Sequence, residues 1–423
     1  VQENLSIYIH YPFCKAKCPY CDFNSHVREG VNHESFLRAY EKEMEFFAPK
    51  TGLRKIKTIF FGGGTPSLMP IFLVEGILKK ISQLWNVDEN CEISLEANPT
   101  SFEAAKFKDL RRVGINRLSL GIQALNDADL KFLGREHSAK EAIATIETAQ
   151  KIFDNFSFDL IYARPQQTLE LWHEELLRAI NFGTKHLSLY QLTIEKGTKF
   201  FSEFKQGKFK LPEENLATDF YSLTNQVTSD AGFKLYEISN YAYSSSLETR
   251  ERFRGSHESK LPKSSVAGAS KDDEFVKDYR CAHNLVYWQG GDYLGIGAGA
   301  HSRIYLDGEK NRSAIMMIHE PNAWLRKVEE NSAGIQTLEK ISSEELLEEL
   351  ILMGLRLENG IDEKNFPKKF ADIFDFKKLQ KLVDQGLIVI SENHIKIPHQ
   401  YRILTNSIIS KVVSCFSVCH PVE

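Results

Sequence analysis

From Leu5 to about Tyr236, short runs rich in β-branched and aromatic residues alternate with longer amphipathic segments. The short runs are SIYIHY, KIKTIFF, CEISLEA, RLSLGIQ, FSFDLIY and HLSLYQL. Between the first two, Phe36, Leu37, Tyr40, Met44 and Phe47 recur at intervals of three and four, while Glu41, Lys42 and Glu43 fill the other face. That period predicts a helix with one buried stripe. Six strand–helix units in series predict an α/β fold with a parallel sheet and right-handed crossovers. Six units are short of a closed eight-stranded barrel, and periodicity does not separate a partial barrel from an open doubly wound sheet. In both architectures ligands sit at the C-terminal ends of the strands.

The strand ends carry the candidate chemistry. After the first strand, Tyr8 to Phe23 reads YIHYPFCKAKCPYCDF, with Cys14, Cys18 and Cys21 spaced C-x3-C-x2-C. Three thiols within eight residues can converge on one metal centre if the loop folds back. A disulfide would leave one of the three unpaired, and a structural zinc would need His10 or His26 as its fourth ligand. After the second strand comes Gly62-Gly63-Gly64-Thr65-Pro66, a run that lets backbone approach a ligand or makes a tight turn. Glu96 ends the third strand, Gln123 the fourth and Asp159 the fifth. Polar groups in such positions bind a ligand's polar edges or cap the next helix.

Past Tyr236 the pattern changes. Residues 243–279 are rich in Ser, Lys, Arg and Glu and poor in aliphatics, which predicts an inserted, mobile surface loop. Its basic cluster at Arg250 to Arg254 offers a peripheral membrane or partner contact at most. Cys281, His283, Asn284, Tyr287 and Trp288 follow, then a glycine-rich stretch from Gly290 to Gly299. An imidazole beside large aromatics suits an axial iron ligand with walls for a porphyrin, and equally a histidine hydrogen-bonded in an aromatic core. From about Ala333 the order is helix, turn at Asn359-Gly360, helix and β-hairpin, a winged-helix-like α+β domain without a basic recognition face. The expected units are 1–236, a connecting region 237–335, a C-terminal domain 336–402 and a frayed tail 403–423 containing Cys415 and Cys419-His420.

Composition narrows the class. The chain has 423 residues, 42% of them hydrophobic, and a net charge of −4, which leaves no electrostatic footprint of a nucleic-acid binder. Seven cysteines, three of them in one loop, read as a reducing compartment. No signal-peptide pattern and no run of about 18 apolar residues is present, so a cytoplasmic protein without an integral membrane segment is expected.

The cysteine loop, with Tyr20 in the aromatic position, resembles that of the radical S-adenosylmethionine (SAM) proteins. The resemblance implies a [4Fe-4S] cluster held by Cys14, Cys18 and Cys21, with the fourth iron open to the amino and carboxylate groups of SAM. It also implies a partial (β/α)6 TIM-like barrel. GGGTP, ISLEANP, LSLGIQ followed by Arg135 in FLGREH, DLIY and GGDYLGIGAGAHS narrow it further. They resemble the oxygen-independent coproporphyrinogen III oxidase family and its heme-chaperone branch over nearly the whole chain. Carried over, Tyr8, Tyr20, Gly63, Gly64, Thr65, Glu96, Gln123, Arg135 and Asp159 are SAM contacts, with His301 placed near them. After DLIY the family has GLPxQT where this chain has Ala163 to Thr168, an exchange expected to alter the cavity floor.

Three features favour the chaperone branch, which binds heme and passes it to an acceptor protein, over a porphyrinogen decarboxylase. Phe23 stands where the enzyme branch has a fourth cysteine, and Tyr8 lies near the chain start, where that branch has an extension. The third is the H-N-x-x-Y-W match at His283, Asn284, Tyr287 and Trp288. By this resemblance His283 is an axial heme ligand, Cys281 a weaker candidate, and Tyr287 and Trp288 wall the macrocycle.

Overall fold

The computed structural model describes residues 3–244, 278–391 and 393–416. Its centre is six parallel strands hydrogen-bonded in chain order: β1 (Asn4–Tyr11), β2 (Lys55–Gly63), β3 (Asn86–Ala97), β4 (Arg117–Gln123), β5 (Phe156–Tyr162) and β6 (His186–Gln191). All six runs read as strands form them. Parallel strands are covered on both faces, so their runs are nearly continuous rather than alternating. Ile7, Ile9, Phe61, Leu95, Leu118, Phe158 and Leu187 are accordingly buried. The crossover helices α1 (His33–Phe47), α2 (Ile71–Leu84), α3 (Ala139–Ile152) and α4 (Leu169–Asn181) bury their apolar stripes in the same core.

The sheet stays open and grows at both edges. Beyond β6 the chain returns as β7 (Phe233–Leu235) and β8 (Asn240–Tyr243), with β8 antiparallel to β6. On the other edge β9 (Tyr293–Ile296) lies parallel to β1, followed by antiparallel β10 (His301–Ile304), β11 (Ser313–Met317) and β12 (Ile335–Lys340). The architecture is a partial (β/α)6 barrel with added strands. Four of the added strands, β8 to β11, fall within the region read as a connection, 237–335. The expected insertion falls, apart from its ends, outside the described residues, as does Cys419-His420.

A separate core sits under the C-terminal elements. Helices α7 (Ser343–Gly354) and α8 (Phe376–Asp384) pack on a three-stranded sheet of β13 (Ile361–Asp362), β14 (Val389–Ser391) and β15 (His394–Lys396). Helices α5 (Ala282–Trp288) and α6 (Pro321–Asn331) precede them in the chain. The tail after Arg402 does not fray where it is described. It forms α9 (Thr405–Val413), whose Ile408, Ile409 and Val412 are buried against Ile351, Leu379 and Ile395. Apolar residues three to four apart had a face to bury.

One polar residue defies the helical pattern. Glu43, assigned to the solvent face of α1, is fully buried, and its carboxylate accepts from the backbone of Gly297 (2.8 Å), the backbone of Gly334 (2.8 Å) and Nε1 of Trp324 (3.0 Å). It thereby ties the first crossover helix to the glycine-rich segment and to α6. Burial pushes its pKa up to about 7 against the lowering effect of those donors. An acid whose pKa is raised on folding stabilises the fold below its unfolded value near 4.5, and that contribution is lost as pH rises to about 7. We expect Glu43→Ala to cost about 3 kcal/mol by orphaning three donors and to flatten the dependence of the melting temperature on pH between 4.5 and 7. Parallel pH profiles for variant and parent would contradict this account.

Candidate cluster and cofactor site

The cysteine loop leaves β1 at Tyr11 and is pinned by the turn that leaves β2. Gly64 N donates to Tyr11 O at 2.7 Å and Thr65 N donates to Phe13 O at 2.9 Å. A Cβ on residue 64 would lie 2.6 Å from Phe13 O, and one on residue 63, whose φ is +114°, would lie 2.7 Å from the His10 ring. The glycine run thus makes room for the protein's own loop as well as bordering the cavity. A short parallel pairing of Phe13–Cys14 with His26–Val27 closes the loop on itself.

Cys14, Cys18 and Cys21 line one cavity, unpaired with any other cysteine. Among the described residues no group of three or more His, Cys, Asp or Glu side chains is disposed around a single ion. Three soft thiol donors bordering one cavity suit iron–sulfur ligation. Eight of the residues assigned to SAM share that cavity: Tyr20, Gly63, Gly64, Thr65, Glu96, Gln123, Arg135 and Asp159. Glu96 is next to last in β3 and Gln123 ends β4, whereas Asp159 lies in mid-strand rather than at its end.

The cavity is electrostatically divided. Near the loop, Arg135 Nη1 points at Cys18 Sγ (3.3 Å) and its Nη2 donates to Asn98 Oδ1 (2.6 Å) and Gly121 O (2.8 Å). Thr65 Oγ1 donates to Cys14 Sγ at 3.3 Å. Burial drives the Cys14 and Cys21 thiols upward. Deeper in, burial and the Asp159 charge push Glu96 up to about 8, and burial raises Asp159 to about 6. Two buried carboxyls, both pushed toward their neutral forms, thus share one cavity with a fixed guanidinium.

Tyr8 and His301 lie in an adjoining cavity with His10, His319, Tyr287 and Tyr293, and Gly63 and Glu96 border both spaces. Tyr8 donates toward His10 Nδ1 at 3.0 Å. His283, on α5, is 1% exposed, and both its ring nitrogens are engaged: Nδ1 with Thr58 Oγ1 at 2.7 Å and Nε2 with Tyr287 Oη at 2.8 Å. It also stacks on Phe60, and burial pushes its pKa down to about 3. Here it is a neutral, fully bonded core histidine. Cys281 is buried too, its thiol 3.5 Å from Glu92 and raised to about 12. Tyr287 and Trp288 instead face a cavity of about 750 Å³ between α5 and α7.

Two features escaped the sequence. Asn98, which bridges Thr65 and Arg135, follows β3 in a stretch whose only mark is Asn-Pro. Ala163 and Arg164 do not line the cysteine cavity. Ala163 takes a φ of +55°, and the Arg164 side chain is buried against Glu175 (2.5 Å) and Asp129 (2.9 Å). Glu175 also accepts from Leu125 N at 2.6 Å, so this exchange anchors the turn after β4 instead of reshaping the cavity floor.

A loop of three free thiols at the C-terminal edge of a partial barrel is the arrangement of the radical SAM class. The Radical SAM superfamily model matches residues 8–179, and the HemN C-terminal domain model matches 341–400. Over 421 residues the chain is 32% identical to bovine "Radical S-adenosyl methionine domain-containing protein 1, mitochondrial", covering 97% of this chain and 88% of that protein. It is 32% identical to "Heme chaperone HemW" of Bacillus subtilis, covering 95% and 97%, and 36% identical to that of Escherichia coli over 71% and 70%. The solved structure of Escherichia coli coproporphyrinogen III oxidase (HemN) superposes with a TM-score of 0.74 at 23% identity, covering 98% of this chain and 91% of that one, a likeness of fold. The chain belongs to the HemN family of radical SAM proteins, near its HemW branch.

Cys18→Ser is expected to abolish cluster assembly, and full iron and sulfide content in that variant would remove Cys18 from the ligand set. Gly64→Ala keeps every thiol yet drives a Cβ into Phe13 O. It should therefore lower iron and sulfide per chain severalfold on reconstitution, and parental loading would show that the loop does not depend on this contact.

Proposed function

We propose that this protein is a heme chaperone: it binds heme and hands it to an acceptor protein, on a scaffold that carries a [4Fe-4S] cluster and SAM. The observation that carries the reading is the cavity beside α5. Tyr287, Trp288 and Tyr293 supply flat apolar walls, and Arg303 and Arg312 border the same space. A porphyrin needs flat faces to stack on, and this cavity offers them; its guanidiniums are already paired, Arg303 with Glu349 at 2.8 Å and Arg312 with Asp292 at 3.3 Å. The names of the HemW relatives point the same way. So does Phe23, 60% exposed where the oxidase branch is expected to carry a further cysteine.

Cys14, Cys18 and Cys21 would hold the cluster, Arg135 would meet the SAM carboxylate, and Glu96 and Asp159 its cationic and hydroxyl groups. Bound there and reduced, the cluster would supply an electron for reductive cleavage of SAM. Free thiols favour a reducing compartment. We place the chain in the cytoplasm, although relatives include proteins named as mitochondrial. No helix among the described residues is long and apolar enough to cross a membrane.

His283 enters this proposal conditionally on Tyr287. For the imidazole to reach heme iron, the Tyr287 hydroxyl must leave Nε2. The test is an anaerobic absorbance titration of the cluster-reconstituted chain with heme, alongside His283→Ala and Tyr287→Phe. Saturable, roughly stoichiometric binding in the parent is expected, weakened about tenfold or more in His283→Ala with the iron–sulfur spectrum unchanged. Tyr287→Phe, which frees Nε2, should retain iron ligation. Unaltered binding by His283→Ala would remove His283 from the site. No specific binding by the parent would overturn the chaperone reading and make SAM-dependent decarboxylation of coproporphyrinogen III the next assay.

A further inference from the structure

With His283 closed off, the imidazoles that face open space are elsewhere. His301 opens β10, and His319 follows β11; both are exposed, and both border the cavity that adjoins the cysteine site. That cavity, of about 340 Å³, shares Gly63 and Glu96 with the cysteine cavity and Tyr287 and Tyr293 with the aromatic one. It is the space between them. We propose that His301 and His319 form an iron-porphyrin ligation site of their own, a station at which heme iron is held by exposed imidazoles between the cluster and the aromatic cavity. The proposal rests on the heme reading above and adds a site to it.

Geometry supports the pairing. Two imidazoles on opposite faces of one iron, with iron–nitrogen bonds of about 2 Å, place their ring centres about 6 Å apart. The rings of His301 and His319 are 6.2 Å apart, with planes at 87°. His301 faces Met316 across the β10–β11 ladder, so its backbone is held by sheet hydrogen bonds rather than by a free loop. The segment carrying His319 is also tethered, since its carbonyl accepts from Asn24 Nδ2 at 3.0 Å. His319 Nε2 rests 3.4 Å from Met316 Sδ, and a thioether is a weak partner that a metal displaces readily. Partial burial, His319 and Arg303 all lower the His301 pKa.

The donor set also selects the ligand class. A bare zinc or iron ion needs about four protein donors, and no group of three or more His, Cys, Asp or Glu suited to an ion exists among the described residues. An iron porphyrin brings four nitrogens of its own and asks the protein for one or two axial ligands and flat apolar neighbours. Phe23, Tyr287 and Tyr293 border the same cavity. Two imidazoles are enough for that cargo.

The experiment uses the full chain with its cluster reconstituted, titrated separately with ferric heme and with metal-free protoporphyrin, and followed by absorbance and electron paramagnetic resonance. The parent, His301→Ala, His319→Ala and the double variant are compared, with melting temperatures as the folding control. In the parent we expect a low-spin, bis-imidazole ferric signal. The double variant should turn it high-spin and weaken heme binding about tenfold or more while protoporphyrin binding stays as in the parent. His319→Met, which keeps an axial donor, should retain low-spin heme. If heme binds the parent and the double variant alike, or if heme and protoporphyrin weaken together, the ligation site is overturned and the chaperone reading stands. If the parent binds no heme, both fall.

Discussion

Everything at the site depends on how the cysteine loop is held against the end of β2. The base of the loop is held by Phe13, buried in the main core, and by backbone hydrogen bonds from Gly64 and Thr65 to Tyr11 and Phe13. Those bonds are short because residues 63 and 64 have no side chain, and the two segments are neighbours because β1 and β2 pair in register from Ser6↔Thr58 to Tyr11↔Gly63. Register in a buried sheet is set by which residues face the core, so the apolar pattern of two strands positions three thiols. The Thr65 hydroxyl at Cys14 and the Arg135 guanidinium at Cys18 extend that support from the next strands round.

Around this loop the barrel places ionisable groups where burial alone would neutralise them. Glu96, Asp159 and Arg135 share one cavity, and the raised pKa values of the two acids express desolvation that a cationic ligand would offset. Elsewhere the same cost is met inside the protein. Glu43 has three donors, and Arg164 lies between Glu175 and Asp129. Glu96, by contrast, accepts from Gly63 N at 3.3 Å, a longer contact than any of those.

The six central strands, the stripe of α1 and the C-terminal helix–helix–hairpin order were legible because each repeats a local period over many residues. The cysteine spacing was legible because three thiols fall in one short loop after a strand, and Gln123 because it ends one. Glu43 was misread because a period reports position around a helix, not what comes to lie against it. Residues 405–413 were read as a frayed tail because the core they pack on is assembled from Ile351, Leu379 and Ile395, which no local period connects to them. His283 shows the same limit more sharply. Its neighbours in sequence suit a porphyrin ligand, yet Thr58, 225 residues away, takes Nδ1, and Tyr287, one helical turn on, takes Nε2.

By itself, then, the sequence determined the parallel α/β scaffold, the edge at which chemistry gathers and the thiols that gather there, because these follow from short-range periodicity and from residue types with few alternative uses. Only the tertiary structure decided which histidines face open space and which are sealed, which charges are already paired, and that β9 to β12 extend the barrel beside the cofactor cavity. Those outcomes depend on contacts between residues hundreds of positions apart. A local pattern cannot encode them, because the partner that satisfies or exposes a side chain is chosen by the packing of the whole sheet.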